Sequence, residues 1–196
     1  MNTKGTLTVF DLDDTLFHCH AQIKVKREDG TVEDIPSSTN YDARQGDVID
    51  YSQFRSAQYF YDTAVPMDRM VTKFKNIRKN TRNPNSRIII VTARSDFDNQ
   101  ELFMGALKHH ELFYDDVHVY RAGNFADIPT TPARKCYIIG ARLVSGQYNK
   151  ARMFDDSIPN LKAFLAMQDT FPEIEFEAWL VFKDGEVEPY LASYLD

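Results

Sequence analysis

Cysteine is scarce in this chain. Its 196 residues hold two, Cys19 and Cys136, too few for a disulfide framework and without metal-ligand spacing, so free thiols are expected. Long apolar runs are missing as well. None approaches the ~20 residues that span a bilayer, and because Met1-Asn2-Thr3-Lys4-Gly5 leads straight into the first hydrophobic strand, no signal peptide is expected. The expected address is the cytoplasm, with no membrane partner. Positive charge is in deficit: 23 Lys and Arg stand against 29 Asp and Glu, a net charge of −6, which opposes sequence-independent binding to nucleic acid. Internal repeats and low-complexity tracts are absent. What is present is an ordinary globular composition, 43% hydrophobic and 27% charged, at a length that predicts one domain over 1–196.

Charge is distributed unevenly. Residues 67–94 carry eight basic side chains against one acid, Asp68, whereas residues 155–196 carry ten acids and two lysines. Most of the basic cluster falls on a helix and the turn that enters the next strand. In a βαβ unit that turn lies opposite the strand carboxyl ends, so a solvated helix face is expected there.

Near the start, Val9-Phe10-Asp11-Leu12-Asp13-Asp14-Thr15 drives an apolar strand into three carboxylates with no cation nearby in sequence. Like charges this close repel, and burying them costs several kcal/mol unless a cation intervenes, so a bound divalent metal is the economical explanation. Far downstream, Met153-Phe154-Asp155-Asp156-Ser157 repeats the pattern. Between them Ile88-Ile89-Ile90-Val91-Thr92-Ala93-Arg94 ends a third strand in polar groups. Open α/β sheets bind ligands outside the carboxyl ends of their strands, at the switch point of strand order. Three such ends predict one pocket.

Strands are expected at 6–12, 87–92, 116–120, 150–154 and 174–182, the last followed by a terminal hairpin through Asp184-Gly185 to 186–191. Helical spacing predicts helices at 67–80 and 96–110, another opening at Thr131-Pro132 and carrying Lys135, and one capped by Ser157. Alternation of the two element types implies a mainly parallel sheet. Residues 18–66 read as an insertion over the pocket: a hairpin turning at Asp29-Gly30, then an aromatic stretch (Tyr41, Tyr51, Phe54, Tyr59, Phe60, Tyr61) without periodicity. These rings are expected to pack the insertion onto the domain, with base stacking as the competing use. Cys19 and Cys136 flank groups of the pocket, and both are expected near it.

Several carboxylates, a hydroxyl and one or two cations suit phosphoryl transfer, where catalysis is positioning and charge stabilisation. Magnesium fits an oxygen-only donor set. One carboxylate serves as nucleophile while a neighbour protonates the leaving oxygen. Arg94 is a candidate phosphate clamp, because a guanidinium grips two oxygens at once.

In order and in element, Asp11-Leu12-Asp13-Asp14-Thr15, Thr92, Lys135 and Asp155-Asp156 resemble the four motifs of the haloacid dehalogenase (HAD) superfamily of phosphotransferases. The resemblance implies a three-layer Rossmann-like α/β core with a mainly parallel five-stranded sheet and a small hairpin cap inserted after the first strand. It implies Asp11 as nucleophile forming an aspartyl-phosphate, Asp13 as general acid and base, Thr92 on the phosphoryl oxygens and Lys135 stabilising charge. Thr15 and Arg94 fall among substrate-binding positions, and Mg²⁺ is implied on Asp11, the main-chain carbonyl of Asp13, Asp155 and Asp156. Within the superfamily the chain is most similar to the phosphatase domain of phage-type polynucleotide kinase-phosphatases, through Val91-Thr92-Ala93-Arg94 and the paired aspartates. That likeness implies a phosphomonoesterase acting on a nucleotide or a nucleic-acid 3′-phosphate end. No Gly-x-x-x-x-Gly-Lys-Ser/Thr loop is present, so no kinase half is expected. A phosphatase of small sugar or metabolite phosphates, and a phospho-ligand binding module without turnover, are the alternatives.

Overall fold

A computed structural model describes residues 3–36 and 44–191. Tyr41 therefore lies outside the described residues. The chain opens with β1 (Gly5–Phe10) and enters the insertion through β2 (Phe17–His18), β3 (Gln22–Lys26), β4 (Val32–Pro36), β5 (Val48–Asp50), α1 (Ser52–Arg55), α2 (Ala57–Thr63) and β6 (Val65–Pro66). It continues through α3 (Asp68–Asn80), β7 (Arg87–Thr92), α4 (Gln100–His109), β8 (His118–Arg121), α5 (Thr131–Leu143), β9 (Tyr148–Asp155), α6 (Ile158–Ala166), β10 (Glu175–Val181) and β11 (Val187–Tyr190).

The principal sheet runs β11-β10-β9-β1-β7-β8 and is parallel except for the β10–β11 pair. Five strands were expected and six are found. Gly185, at φ 79°, turns the chain so that Val187 faces Val181 and Tyr190 faces Ala178, and the terminal hairpin becomes the sheet's edge.

Burial on both faces makes β1 central. Leu7 and Val9 pack with Ile139, Leu143, Leu161 and Phe164 of α5 and α6, while Phe10 packs on the other side with Met70 and Phe74 of α3 and Phe103 of α4. Each such side chain stabilises the fold by about 1.5–3 kcal/mol relative to exposure. The result is a mixed α/β architecture with helices on both faces of a mainly parallel sheet. From β1 the chain moves to β7 and β8, then crosses to β9 on the far side of β1, so the switch point lies between β1 and β9. Among the described residues no helix is long and apolar enough to cross a membrane.

Boundaries differ where side chains divert the backbone. β1 stops at Phe10, two residues short of expectation, because the Leu12 carbonyl accepts from the amides of Leu16 and Phe17 and curls the chain. Helix α4 starts at Gln100 rather than 96, since the Asn99 side chain caps it by accepting from Leu102 N. The cap of α5 is Thr130, not Thr131: its Oγ1 accepts from Ala133 N. Ser157 occupies the cap position of α6 without side-chain capping, its own amide donating to Asp155 instead.

The insertion is more structured than a hairpin with an aromatic tail. β5 joins the expected β3–β4 hairpin as a third strand in the order β4-β3-β5, and α1 and α2 follow. Its two ends meet in the short β2–β6 pair, Phe17 facing Pro66 and His18 facing Val65. It docks through Asp98, whose N–H donates to Arg55 O and whose Oδ1 accepts from Ala57 N. Phe60 is buried against Phe17, Phe97 and Phe103. The basic helix face is solvated as expected, with Arg69 on Asp184 and Glu186, Lys75 on Glu111 and Arg78 on Asp116.

Candidate active site

β1 and β9 run side by side in register, Phe10 beside Phe154, and the ladder continues one step as Asp11 N–H donates to Phe154 O at 3.0 Å. Asp11 and Asp155 therefore emerge together at the switch point. Lys135, in the second turn of α5, reaches between them: its Nζ is 2.7 Å from Asp11 Oδ1 and 2.8 Å from Asp155 Oδ2. All three side chains are buried. Lys150, the other lysine near this strand, lies at the start of β9 and pairs with Glu175 and Glu177.

Asp155 is held from several directions. Its Oδ1 accepts from Ser157 N and from Asn160 Nδ2, each at 2.9 Å, and its Oδ2 also takes Asn160 Nδ2 at 3.1 Å. Sequence reasoning passed over Asn160. The available signal was a lone amide in the first turn of a helix whose one other polar residue is Lys162, five residues beyond an aspartate, where the side chain folds back onto the strand end.

Asp11, Asp155 and Asp156 each place a carboxylate oxygen within 4.8 Å of the others. One ammonium faces three carboxylates, and the imbalance appears in their acidities. Burial pushes Asp11 well above the usual carboxylate range; Lys135 opposes this, while Asp155 and Asp156 add to it. Asp156 still reaches solvent, which softens its shift, but exclusion of water by the surrounding protein and then the Asp155 charge push it up to about 7. Burial disfavours charge on Lys135, yet Asp11 and Asp155 outweigh it and hold the ammonium charged. An all-oxygen set with excess negative charge at a strand switch point fits a hard divalent cation.

Asp13 faces a different way. After β1 the chain turns through Asp14, whose φ of 55° is a left-handed conformation that aspartate tolerates. Asp14 Oδ1 accepts from Cys19 N at 3.1 Å and steadies the loop. The Asp13 carboxylate meets Arg94 as a fork: Nε lies 2.9 Å from Oδ2 and Nη2 lies 2.7 Å from Oδ1. Burial alone would raise the pKa of Asp13, but Arg94 outweighs it and holds the carboxyl below its ordinary value. The third arm of Arg94, Nη1, donates to Phe54 O of the insertion at 2.9 Å, and Nη2 lies 3.5 Å from Cys19 Sγ.

Arg94 is thus engaged with Asp13 rather than standing free as a clamp. Thr92 is fully buried; its Oγ1 accepts from Arg94 N at 3.2 Å and sits 3.5 Å from Asp13 Oδ2. Thr15 is fully buried with an unpartnered Oγ1 and is not among the residues lining the cavity. Cys136 packs into the core beside Lys135, and burial raises its thiol to about 11, leaving it inert near neutral pH.

A cavity of about 1360 Å³ opens over these groups. Its floor is Asp11, Asp13, Arg94, Lys135 and Asp156, and the insertion supplies a wall of Ile23, Ile49, Tyr51, Phe54 and Arg55. Gly123 completes the floor at a close approach. A Cβ there would fall 2.6 Å from Ala93 O and Ser95 N, so only glycine lets the loop after β8 lie against the loop carrying Arg94. Comparison of the chain with protein-family models, with curated proteins and with solved structures finds no match in any of the three.

Proposed function

We propose that this chain is a Mg²⁺-dependent phosphomonoesterase of the HAD type, built on that superfamily's three-layer core, with a nucleotide or nucleic-acid 3′-phosphate end as substrate. The observation that carries this reading is the pairing of two acid-bearing strand ends around one buried lysine, with a second carboxylate of the same loop aimed elsewhere. Two cysteines outside any disulfide suit a reducing compartment, and we propose the cytoplasm.

Asp11 is the nucleophile. It projects into the cavity floor, and Lys135 favours its ionised form against burial. Attack by an Asp11 oxygen on phosphorus forms an aspartyl-phosphate and breaks the bond to the ester oxygen. Water then attacks phosphorus, releasing inorganic phosphate and restoring Asp11. Asp155, fixed by Ser157 and Asn160, holds Lys135 in place. Asp11, Asp155, Asp156 and the Asp13 carbonyl would hold Mg²⁺, which when bound offsets the charge of the phosphoryl oxygens.

Asp13 donates its proton to the departing ester oxygen and recovers one from the attacking water. Bound to Arg94 it is ionised and has no proton to give. An incoming phosphate dianion competes for the guanidinium; as Arg94 turns to the phosphate, Asp13 loses the cation that held it ionised and burial raises its pKa. Substrate binding and arming of the acid are then one event.

The test is phosphate release from an aryl phosphate and from a 3′-phosphorylated oligonucleotide, with Mg²⁺ and with EDTA. Release should require the metal and fall at least a thousandfold in Asp11→Asn. Turnover retained by that variant would remove Asp11 as nucleophile.

A further inference from the structure

Five acids and four cations line the cavity: Asp11, Asp13, Asp14, Asp50 and Asp156 against Arg55, Arg94, Arg134 and Lys135. Lys135 and Arg94 are committed to Asp11, Asp155 and Asp13. Arg55 and Arg134 are not. Neither forms an ion pair among the described residues. Arg134, in the first turn of α5, donates Nε to Ile128 O at 2.6 Å and sends Nη2 toward Ala126 O at 3.5 Å, which fixes its stem and leaves Nη1 without a partner. Arg55 ends α1 on the insertion, exposed at the cavity wall. Two guanidiniums without acids, one on the insertion helix α1 and one on α5, thus face one cavity whose own phosphoryl-handling cations are already in use.

Beside Arg55 on the same helix turn stand two rings. Tyr51 is 49% exposed, and its ring meets that of Phe54 at 6.2 Å in an edge-on arrangement. Phe60, further along the insertion in α2, is sealed in the core. The aromatics of the insertion therefore divide by position, and packing does not account for an open tyrosine on a cavity wall. A planar base stacks on such a surface, and a nearby guanidinium receives the phosphate attached to it.

We propose that Arg55, Arg134, Tyr51 and Phe54 form a second subsite for a further phosphate and its base. The preferred substrate is then a phosphorylated nucleotide bearing at least one additional phosphate, not a singly phosphorylated metabolite. The inference rests on the phosphatase reading above but concerns binding, which can be measured apart from turnover.

The probes are a nucleoside monophosphate, a nucleoside 3′,5′-bisphosphate and a short 3′-phosphorylated oligonucleotide. Each is titrated with Mg²⁺ into the Asp11→Asn protein and into the same protein carrying Arg55→Gln or Tyr51→Ala. The bisphosphate and oligonucleotide should bind at least tenfold more tightly than the monophosphate. Arg55→Gln should erase about tenfold of that advantage and make the salt dependence of oligonucleotide binding shallower by about 0.7 in log–log slope. Tyr51→Ala should weaken the nucleotides relative to inorganic phosphate. An advantage shared by the bisphosphate and the oligonucleotide assigns the subsite to one extra phosphate; an advantage of the oligonucleotide alone assigns it to a chain. Equal affinity for all three probes, or an Arg55→Gln effect of the same size on each, overturns the proposal. If the wild-type protein releases no phosphate from an aryl ester while Arg55→Gln still weakens the bisphosphate, the phosphatase reading fails and the subsite stands.

Discussion

Two carboxylate–cation centres lie side by side in the cavity floor, and they are built on opposite terms. Around Lys135, three carboxylates share one ammonium, the lysine, Asp11 and Asp155 being at most 8% exposed. Around Arg94, one carboxylate meets one guanidinium in a matched fork, and Asp13 is 20% exposed. The first centre is over-charged and anchored entirely on core elements. The second is balanced and tied to the insertion through Phe54 O. On the function proposed above, the difference separates two tasks: an anionic excess would attract and hold a cation, whereas a neutral pair at a domain–insertion junction would open when a competing anion arrives.

The contrast breaks most sharply at Lys135. Lys135→Met leaves Asp11 and Asp155 buried without their cation and should cost about 3–5 kcal/mol, read by urea unfolding in EDTA. Activity should disappear with it. Part of the stability should return with Mg²⁺, because the metal replaces the missing charge.

The centres also titrate in opposite senses. Asp11 and Asp156 are pushed up, so between about pH 4, the unfolded carboxylate value, and pH 7 the folded protein holds protons that the unfolded chain has released. Metal-free stability should fall as pH rises through that window. Asp13 is pushed down: its contribution is complete above the ordinary carboxylate value and is lost as pH falls through its own lower value. Thermal midpoints across pH in EDTA should show the first decline. Mg²⁺ at a hundredfold excess over Kd should then restore about 2.7 kcal/mol at neutral pH.

Arg94→Gln tests the balanced centre. Because Asp13 reaches water, the stability loss should be smaller than at Lys135, about 1.5–3 kcal/mol, and the acid-side contribution of Asp13 should vanish. Turnover should fall mainly in kcat, since the variant no longer links phosphate binding to the protonation of Asp13. An unchanged kcat would separate Arg94 from acid catalysis. The mildest perturbation is Gly123→Ala, which pushes the loop after β8 off the Arg94 loop and should cost about 1–2 kcal/mol. It should raise KM more than it moves the metal dependence, because the loop it displaces lies against Ala93, Arg94 and Ser95.

Legibility from sequence followed the same division. The Lys135 centre stands on strands and helices with strong periodicity, so Asp11, Asp155 and Asp156 could be read as converging from strand ends alone, while Lys135 was reached only through the family resemblance. The Arg94 centre could not. Arg94 was visible as a strand-end cation, but its commitment to Asp13 depends on the turn through Asp14 and on a carbonyl from α1, 40 residues away in sequence. Helices α1 and α2 went unread because they are only 4 and 7 residues long, too short to show a face. β5 went unread for the same reason, with three residues and no alternation beyond Ile49. Arg55 and Arg134 carried no motif, and only the tertiary fold brings them to one cavity.

By itself the sequence determined the parallel α/β plan and the meeting of the acidic strand ends at a switch point, because hydrophobic period and strand order are local or topological properties that packing must respect. The tertiary structure alone decided which cation each carboxylate received, how many strands the sheet closed with, and which aromatics faced the cavity. Those outcomes depend on distances of a few ångströms between groups far apart in the chain, where Coulomb energy and burial change steeply and no one-dimensional pattern records the contact.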